Sequence, residues 1–396
     1  MERTVRRSDY LKQLRASKDA TGVIKVVTGM RRCGKSTLME QFIEDLMSDG
    51  VDEGHIFHVN FESFEGYDLI SADKLRTRLR ELPRKGIVYI LLDEIQNVEG
   101  WEKIVSSLKE VTNFDVYLTG SNSDMLSTDL STHLSGRYIE IEMLPLSFGE
   151  YLELHPGDKE YRFNQYLRYG GLPDTEPDRG ERHSMGYLEG VLNTVLIKDV
   201  LSRLRTDDVN KIRAIARFLY SNIGNVTNIA NIAEGTGLNP GTVERYVNGM
   251  ESALLFYHAE KYDIVGKKLL STNGKYYASD MGMRLMALQG SGTDDMSRPL
   301  ENVVYLELVR RGYTVRIGSY RDKEVDFIAI KGSEVEYYQV TFTALEEETR
   351  KREFNPLQSI RDNFPKTILT MDRFNLGNFQ GIKVVNVIDW ILCQER

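Results

Sequence analysis

The amino-acid sequence predicts an α/β protein that is built from more than one domain. The chain has 396 residues, which exceeds the ~250–300 residues at which a single hydrophobic core usually stops growing. Two short apolar runs in the first third, at 23–27 and 87–92, have the length and composition of strands buried in a parallel sheet. The first run leads into a glycine-rich loop and then into a segment of helical periodicity. This order of strand, loop and helix indicates a ligand-binding α/β domain at the start of the chain.

Composition excludes several classes of protein. Hydrophobic residues make up 41% of the chain and charged residues 28%, a balance typical of globular proteins rather than of disordered or collagen-like chains. The longest apolar run is far shorter than the ~18–20 residues that cross a bilayer. Residues 1–20 contain no apolar signal segment, so the sequence predicts a soluble, cytoplasmic protein with no membrane partner. Two cysteines, Cys33 and Cys393, are too few for a disulfide framework or a thiolate metal site.

A phosphate-binding loop is the strongest signal in the sequence. Residues 29–36, GMRRCGKS, match the pattern G-x-x-x-x-G-K-[ST], in which backbone amides and a helix start bind phosphate. We expect Lys35 to reach the β- and γ-phosphates of ATP and Ser36 to bind Mg²⁺. The alternative is a glycine turn beside a surface lysine, but the strand before the loop and the helix after it argue against this. The predicted nucleotide-binding residues of this segment are Gly29, Met30, Arg31, Arg32, Cys33, Gly34, Lys35, Ser36 and Thr37.

Two carboxylates follow the second apolar run. Asp93 and Glu94 come directly after residues 87–92, where phosphate-loop enzymes carry an acidic residue for the metal. We expect Asp93 to stand on the metal side of the site and Glu94 to act as the general base that polarises the attacking water. The alternative is that the two carboxylates merely end a strand, which the nearby phosphate loop argues against.

A third strand-like run, at 115–119, also ends in small polar residues. If this strand lies beside the strand that ends at Asp93, either Ser121 or Asn122 can contact the γ-phosphate as a sensor. The competing interpretation is a loop that is simply rich in turn-forming residues. The two neighbouring polar side chains leave the choice between them open.

The ordered set of motifs resembles the AAA+ ATPases, in particular a prokaryotic group that pairs an AAA+ core with a nuclease-like carboxy-terminal domain. The resemblance spans nearly the whole chain and implies an enzyme that hydrolyses ATP with Mg²⁺. The segments that carry it are 28–36 (TGMRRCGKS), 92–96 (LDEIQ), 118–122 (LTGSN), 134–137 (LSGR), 144–150 (LPLSFGE) and 169–173 (YGGLP).

Two further site residues follow from this resemblance alone. Arg137 lies where such ATPases often carry an arginine that completes a neighbour's nucleotide site or their own, and a guanidinium suits a phosphoryl group in transfer. Pro173 resembles the proline of a helical lid that packs near the adenine. The alternatives are a surface salt bridge for Arg137 and a plain helix stop for the segment around Pro173.

The middle of the chain is predicted to contain a helical lid and connector at 148–205 and a winged-helix domain at 206–290. Residues 225–233 and 237–247 have the pattern of a helix–turn–helix, with Asn239 as the cap of its second helix and Pro240 at the first helical position. This second helix has little basic character, since its one arginine, Arg245, is outnumbered by Glu244 and Glu251. The predicted wing is more basic; its charged residues are Lys261, Lys267, Lys268 and Lys275 against Asp263. Duplex DNA contact and protein docking therefore both remain open.

The carboxy-terminal segment, 296–396, resembles a restriction-endonuclease-like α/β domain. A helix, three strand-like runs and a second helix place Glu301, Asp326 and Gln339 at spacings typical of that fold. Active members need clustered acids for Mg²⁺ and a lysine two residues after the last ligand. Here Gln339 replaces the usual acid and Thr341 stands in the lysine position, so the sequence predicts a degenerate site, although Lys323 could replace the lysine.

The leading interpretation is an ATPase whose core, 1–147, couples the nucleotide state to movement of the winged-helix and nuclease-like domains, acting on DNA. A slow nucleotide-gated switch that recruits a protein partner is the first alternative, and an ATP-regulated, Mg²⁺-dependent nuclease is the second. The net charge of −8 argues against a protein that coats nucleic acid but leaves a local basic face open. If Arg137 acts on a neighbouring chain, the protein must form a homo-oligomer.

Overall fold

The computed structural model describes residues 4–123, 136–206, 208–290 and 295–393, with the backbone alone at 271 and 272. The chain divides into two compact units, one formed by Met1–Pro145 with Ser252–Leu254, the other by Leu146–Glu251 with Leu255–Arg396. The predicted segments 148–205, 206–290 and 296–396 fall almost entirely in the second unit, and their boundaries stay predictions. Within the described ranges, no helix is long and apolar enough to cross a membrane.

A parallel sheet with helices on both faces forms the first unit. Five strands of its described part lie in the order β2-β3-β4-β1-β5, and each pairs in parallel with its neighbour. The elements are α1 Ser8–Ala16, β1 Ile24–Thr28, α2 Lys35–Ser48, β2 Ile56–Asn60, α3 Ala72–Arg80, β3 Val88–Asp93, α4 Trp101–Leu108, β4 Phe114–Gly120 and β5 Tyr138–Glu142. Strands β1, β3 and β4 are buried along their whole length, as expected for a parallel sheet that is covered on both sides. The predicted α/β class is confirmed.

The strand order brings the predicted motifs to one edge of this sheet. The central strands β1, β4 and β3 run in the same direction, so their carboxyl ends meet at the edge where open α/β sheets bind ligands. Strand β4 lies beside β3, with Leu118 opposite Leu92. This is the neighbourhood that the sequence requires if Ser121 or Asn122 is to act as a sensor.

A buried ion pair lies near the amino-terminal ends of β1 and β4. Lys25 forms a salt bridge with Asp115, and both side chains are fully buried. The Lys25 Nζ atom also donates hydrogen bonds to the carbonyls of Ala20, at 3.0 Å, and Val23, at 3.1 Å. Tyr117 donates its hydroxyl to Asp115 at 2.9 Å. Burial lowers the pKa of Lys25, partly offset by Asp115, and the network ties the turn before β1 to the sheet.

The second unit combines helices with one mixed sheet. Its described strands, nine in number, lie in the order β13-β14-β12-β11-β10-β9-β7-β8-β6. The elements are α5 Phe148–Leu154, α6 Lys159–Tyr169, α7 Glu181–Thr194, α8 Val209–Ser221, β6 Val226–Thr227, α9 Ile229–Thr236, α10 Pro240–Ser252, β7 Phe256–Asp263, β8 Lys268–Ala278, α11 Met281–Ala287, α12 Ser297–Arg310, β9 Thr314–Tyr320, β10 Lys323–Lys331, β11 Glu334–Thr341, α13 Glu347–Ser359, β12 Lys366–Thr370, β13 Gly377–Phe379, β14 Ile382–Asn386 and α14 Val387–Leu392. Helix α7 continues as a π-helix over Val195–Leu201.

The predicted helix–turn–helix elements are present as α9 and α10, followed by the antiparallel hairpin β7–β8. Pro240 is the first residue of α10, and the Asn239 side chain accepts a hydrogen bond from the Gly241 amide at 2.9 Å. The sequence predicts this hairpin and the carboxy-terminal strands as parts of separate segments. In the structure they share one sheet, because β7 pairs in parallel with β9 through Lys261 and Ile317.

Candidate nucleotide-binding site

The loop between β1 and α2 has the backbone geometry of an anion cradle. A side chain at Gly29 would place its Cβ atom 2.5 Å from the Met143 carbonyl oxygen, so glycine is required there. Gly34 has a φ of 102°, in the left-handed region that favours glycine, and directly precedes α2. The Cys33 amide closes the turn on the Met30 carbonyl at 3.2 Å. Free amides at the start of α2 therefore face the loop, which suits a phosphate.

Lys35 lies inside the loop and is charged. Its Nζ atom is 3.0 Å from the Gly29 carbonyl oxygen and 3.2 Å from Glu94 Oε1. Burial alone would lower the pKa of Lys35, but Glu94, together with Cys33 and Asp93, more than offsets this effect, and the pKa is raised. The ammonium group is thus held at the loop by the carbonyls of Gly29 and Met30 and by the Glu94 carboxylate, within reach of an entering phosphate.

Asp93 is fully buried at the end of β3. Burial raises the pKa of this carboxyl, while the Ser36 and Thr119 hydroxyls oppose the rise. Thr119 donates a hydrogen bond to Asp93 Oδ1, whereas Oδ2 accepts none from any described residue. An unpartnered carboxylate oxygen near a serine hydroxyl offers the hard oxygen ligands that Mg²⁺ prefers. Ser36 and Asp93 therefore fit the predicted metal, and Thr119, which the sequence did not single out, positions the carboxylate.

Glu94 adopts a strained backbone that directs its side chain to the loop. Its φ and ψ angles are 55° and 45°, in the left-handed region that non-glycine residues rarely occupy. The Glu94 amide donates to Thr119 Oγ1 at 2.9 Å, and its carboxylate contacts Lys35 and Gln96. Such strain persists where surrounding contacts hold it and is common at functional sites. The predicted base is therefore held within reach of the loop lysine.

Ser121 and Asn122 follow β4 at the same carboxyl edge and are both buried. The strand that carries them lies between β1 and β3, which end at the loop and at Asp93 respectively. The choice of sensor between the two residues stays a prediction.

Arg137 lies at the opposite edge of the sheet. Its carbonyl accepts a hydrogen bond from the Ile24 amide at 3.1 Å, where β1 begins. The loop begins beyond the other end of β1, about 16 Å away at ~3.3 Å per residue. The Arg137 side chain is 60% exposed and lies 4.0 Å from Glu110. Its role at a nucleotide site, of its own chain or of a neighbouring chain, stays a prediction. Leu134 and Ser135 of the same motif lie outside the described residues.

Pro173 belongs to the second unit, where the preceding glycines are held by a buried acid. Helix α6 ends at Tyr169, and Gly170 has a φ of 78°. The Gly171 amide donates to Asp280 Oδ2 at 2.7 Å. Burial raises the pKa of Asp280 to about 6, partly opposed by hydrogen bonds from four backbone amides. The place of Pro173 near the adenine stays a prediction.

Arg7 supports the phosphate loop from outside and was missed at the sequence level. Its buried guanidinium donates to the Cys33 carbonyl at 3.0 Å and to the Leu144 carbonyl at 2.7 Å. The Arg7 amide is bound in turn by Gln41 Oε1 at 3.0 Å. The sequence shows several arginines before an amphipathic helix. Such a pattern is as typical of a solvent-exposed segment as of a buried arginine that binds backbone carbonyls.

We expect Arg7→Lys to raise the KM for ATP by about 10-fold, since a point charge cannot bridge two carbonyls and a hydrogen bond to a charged group contributes about 1.5–3 kcal/mol. The kcat is expected to change less than the KM, because Arg7 shapes the loop and does not touch the phosphates. Steady-state ATPase kinetics give both values, with half-exposed Arg6→Lys as the matched control. An unchanged KM accompanied by a lower melting temperature would show that Arg7 matters for folding alone.

The carboxy-terminal residues Glu301, Asp326 and Gln339 do come together, around a cavity of about 430 Å³. Gln339 Oε1 accepts a hydrogen bond from the Asp326 amide at 3.2 Å, and Asp326 Oδ2 accepts one from the Val340 amide at 2.8 Å. Lys323 lines the same cavity but donates to Asn355 and Ser359. Each predicted ligand group is therefore engaged by the protein itself.

Lys275 departs from the basic wing that the sequence predicts. It is buried and forms ion pairs with Glu301 at 3.0 Å and Glu324 at 2.8 Å. Residues such as Lys267 and Lys268 remain exposed at the hairpin. The wing therefore offers fewer positive charges to a nucleic acid than the sequence suggests.

Comparisons with known proteins found similarities to two family models, to several relatives and to solved structures. Residues 21–152 match the model of a family described as an AAA domain, and residues 160–294 match that of a domain of unknown function. An uncharacterized protein of Methanocaldococcus jannaschii is 28% identical over 393 residues, covering 92% of this chain and 85% of its own. The solved structure of the Aeropyrum pernix ORC1 protein in complex with DNA aligns with a TM-score of 0.34 and 10% identity, over 73% of this chain and 94% of that chain.

The amino-terminal unit thus has the α/β fold of a P-loop AAA+ core, with its loop, carboxylates and strand order at one edge of a parallel sheet. An uncharacterized protein of Haemophilus influenzae is 38% identical over 401 residues, covering 98% of each chain. The chain belongs to the same family as this Haemophilus influenzae protein.

Proposed function

We propose that this protein binds and hydrolyses ATP with Mg²⁺ and uses the nucleotide state to move the helix–turn–helix and carboxy-terminal segments, acting on DNA. The observation that carries the proposal is the meeting of Lys35, Asp93 and Glu94 at one loop. An AAA domain match over the same residues supports it.

The ion pair between Lys35 and Glu94 suggests how nucleotide binding prepares the site. The triphosphate would compete with the Glu94 carboxylate for the Lys35 ammonium, because both are anions within reach of the same group. Once released, Glu94 is free to accept a proton from the attacking water. Ser36 and Asp93 would hold Mg²⁺, which supplies charge neutralisation for the phosphates when bound.

We expect Glu94→Gln to slow ATP hydrolysis by about 100-fold while ATP binding is retained, since an amide cannot accept the proton. Single-turnover hydrolysis and equilibrium ATP binding, measured on the same preparation, separate the two effects. Glu102→Gln, at a partly exposed position on α4, is the matched control. Hydrolysis by Glu94→Gln at the rate of the unsubstituted protein would remove Glu94 from the mechanism.

Action on DNA is supported by the α9–α10 arrangement and by the exposed Arg245, Lys267 and Lys268.

We expect the double variant Lys267→Glu/Lys268→Glu to lower duplex affinity by about 10-fold or more at low salt, because each lost phosphate contact weakens binding. Fluorescence anisotropy with labelled single-stranded, duplex and branched DNA measures this, with Lys12→Glu as the control. Equal affinity of the double variant and the control would exclude the hairpin as a DNA contact.

A nucleotide-gated switch that recruits a protein is the second candidate. Two observations favour it, because both reduce the positive charge available to a nucleic acid. Lys275 is buried, and the negative charge of Glu244 lies next to Arg245 in the chain. Stimulation of ATP hydrolysis by DNA distinguishes the two functions, because the switch predicts none.

Mass measurement with and without ATP tests the neighbouring-chain role of Arg137, which requires an oligomer.

A further inference from the structure

A lysine from the hairpin pairs with two of the acids that line the cavity in the second unit. The Lys275 Nζ atom lies 3.0 Å from Glu301 Oε1 and 2.8 Å from Glu324 Oε1. The Tyr277 hydroxyl donates to the same Glu301 oxygen at 2.7 Å. We propose that Lys275 is the cation that neutralises the acids of this cavity, where a nuclease-like site would hold a divalent metal, and that the cavity therefore takes no metal ion.

With Lys275 in place, several of the oxygens that a divalent metal would need are already engaged by the protein. A hard cation needs several carboxylate or carbonyl oxygens with free lone pairs, but Glu301 Oε1 already accepts two donors. Asp326 Oδ2 is bound by the Val340 amide, and Gln339 Oε1 by the Asp326 amide. In the part of the chain that the structure describes, no group of three or more His, Cys, Asp or Glu side chains is arranged to hold a metal.

The position and charge of Lys275 are both fixed by the fold. Its backbone lies in β8 between two paired strands, opposite Ala259 of β7 and Val226 of β6. Burial alone would lower the pKa of Lys275, but the carboxylates of Glu301, Asp326 and Glu324 more than offset this and raise the pKa. A dication entering the cavity would meet a fixed ammonium group in surroundings of low dielectric, where like charges repel strongly.

This arrangement gives Lys275 a structural role in place of a catalytic one. It neutralises carboxylates on α12 and β10 from a third element, the hairpin, and so ties the hairpin to the carboxy-terminal strands. The inference is independent of ATP hydrolysis, since the residues involved belong to the second unit. It removes the Mg²⁺-dependent nuclease from the functions considered above.

Mn²⁺ binding to the nucleotide-free, full-length protein tests the inference. Electron paramagnetic resonance of free Mn²⁺ is expected to show no difference between the unsubstituted protein and Glu301→Gln up to millimolar metal. Lys275→Met is expected to gain a site with at least 10-fold higher affinity, which Asp326→Asn abolishes in the same background. Lys275→Arg, which keeps the positive charge, is the matched control and is expected to gain none.

Two results would overturn the inference. One is Mn²⁺ binding to the unsubstituted protein that is lost in Glu301→Gln, a comparison that stands even where Lys275→Met does not fold. The other is a folded Lys275→Met that gains no Mn²⁺ site, because a different feature would then exclude the metal. Mg²⁺-dependent DNA cleavage that is lost in Asp326→Asn would contradict it as well.

Discussion

Lys35→Ala is expected to abolish ATP turnover, with a loss of about 10³-fold in rate and weaker ATP binding. The ammonium group is the positive side-chain charge that the structure places inside the loop, next to the Gly29 carbonyl. Preorganised charges at a transferring phosphoryl group typically contribute about 10²–10³-fold each, and this one also binds the ground state. The substitution additionally leaves the Glu94 carboxylate without its partner.

The matched control for this variant is Lys103→Ala, which removes an exposed lysine from α4 of the same unit. Coupled-enzyme measurement of phosphate release, at several ATP concentrations, gives kcat and KM for both variants. Hydrolysis by Lys35→Ala at a rate similar to the control would place the active site elsewhere in the chain.

Lys25→Met is expected to destabilise the first unit by about 3–5 kcal/mol, the usual cost of breaking a buried ion pair by removing one partner. The loss leaves Asp115 fully buried, with a charge that is then contacted, among the described residues, by the Tyr117 hydroxyl and the Asp19 amide. The effect is measured by urea unfolding followed by tryptophan fluorescence in a Trp390→Phe background. Trp101 of the first unit is then the remaining tryptophan of the chain, so the fluorescence reports on that unit.

The exposed pair Lys12–Asp9 provides the control, since Lys12→Met is expected to change the free energy of unfolding by less than about 1 kcal/mol. The double variant Lys25→Met/Asp115→Leu is expected to recover part of the lost stability, because it removes both buried charges. A single variant as stable as the control would show that the pair does not hold the turn before β1.

Much of the geometry around the candidate nucleotide-binding loop could be predicted because its signals are local. The loop pattern, the strand before it and the helix after it lie within about twenty-five residues, and each constrains the others. The same holds for Asp93 and Glu94, which directly follow a continuous apolar run. Strands β9 to β11 also lie close to the strand-like runs that the sequence predicts at 313–317, 324–330 and 336–341, because the composition and alternation of a strand are local signals.

The residues that sequence reasoning missed depend on contacts between distant segments. Arg7 meets Cys33 only once α1 packs beside the loop, and Lys275 meets Glu301 only because the hairpin joins the carboxy-terminal strands. A lysine in a strand looks the same in sequence whether it faces solvent or a buried acid. The place of Arg137 depends in the same way on a distant contact, since the parallel pairing of β5 with β1 decides at which end of the sheet it lies.

The most direct test of the account is equilibrium binding of ATP to the purified protein in magnesium buffer. Titration calorimetry is expected to show saturable binding of one ATP per chain, strongly weakened in Lys35→Ala and retained in Glu94→Gln. Failure of the unsubstituted protein to bind any purine triphosphate would contradict the assignment of the loop, and with it the proposed function.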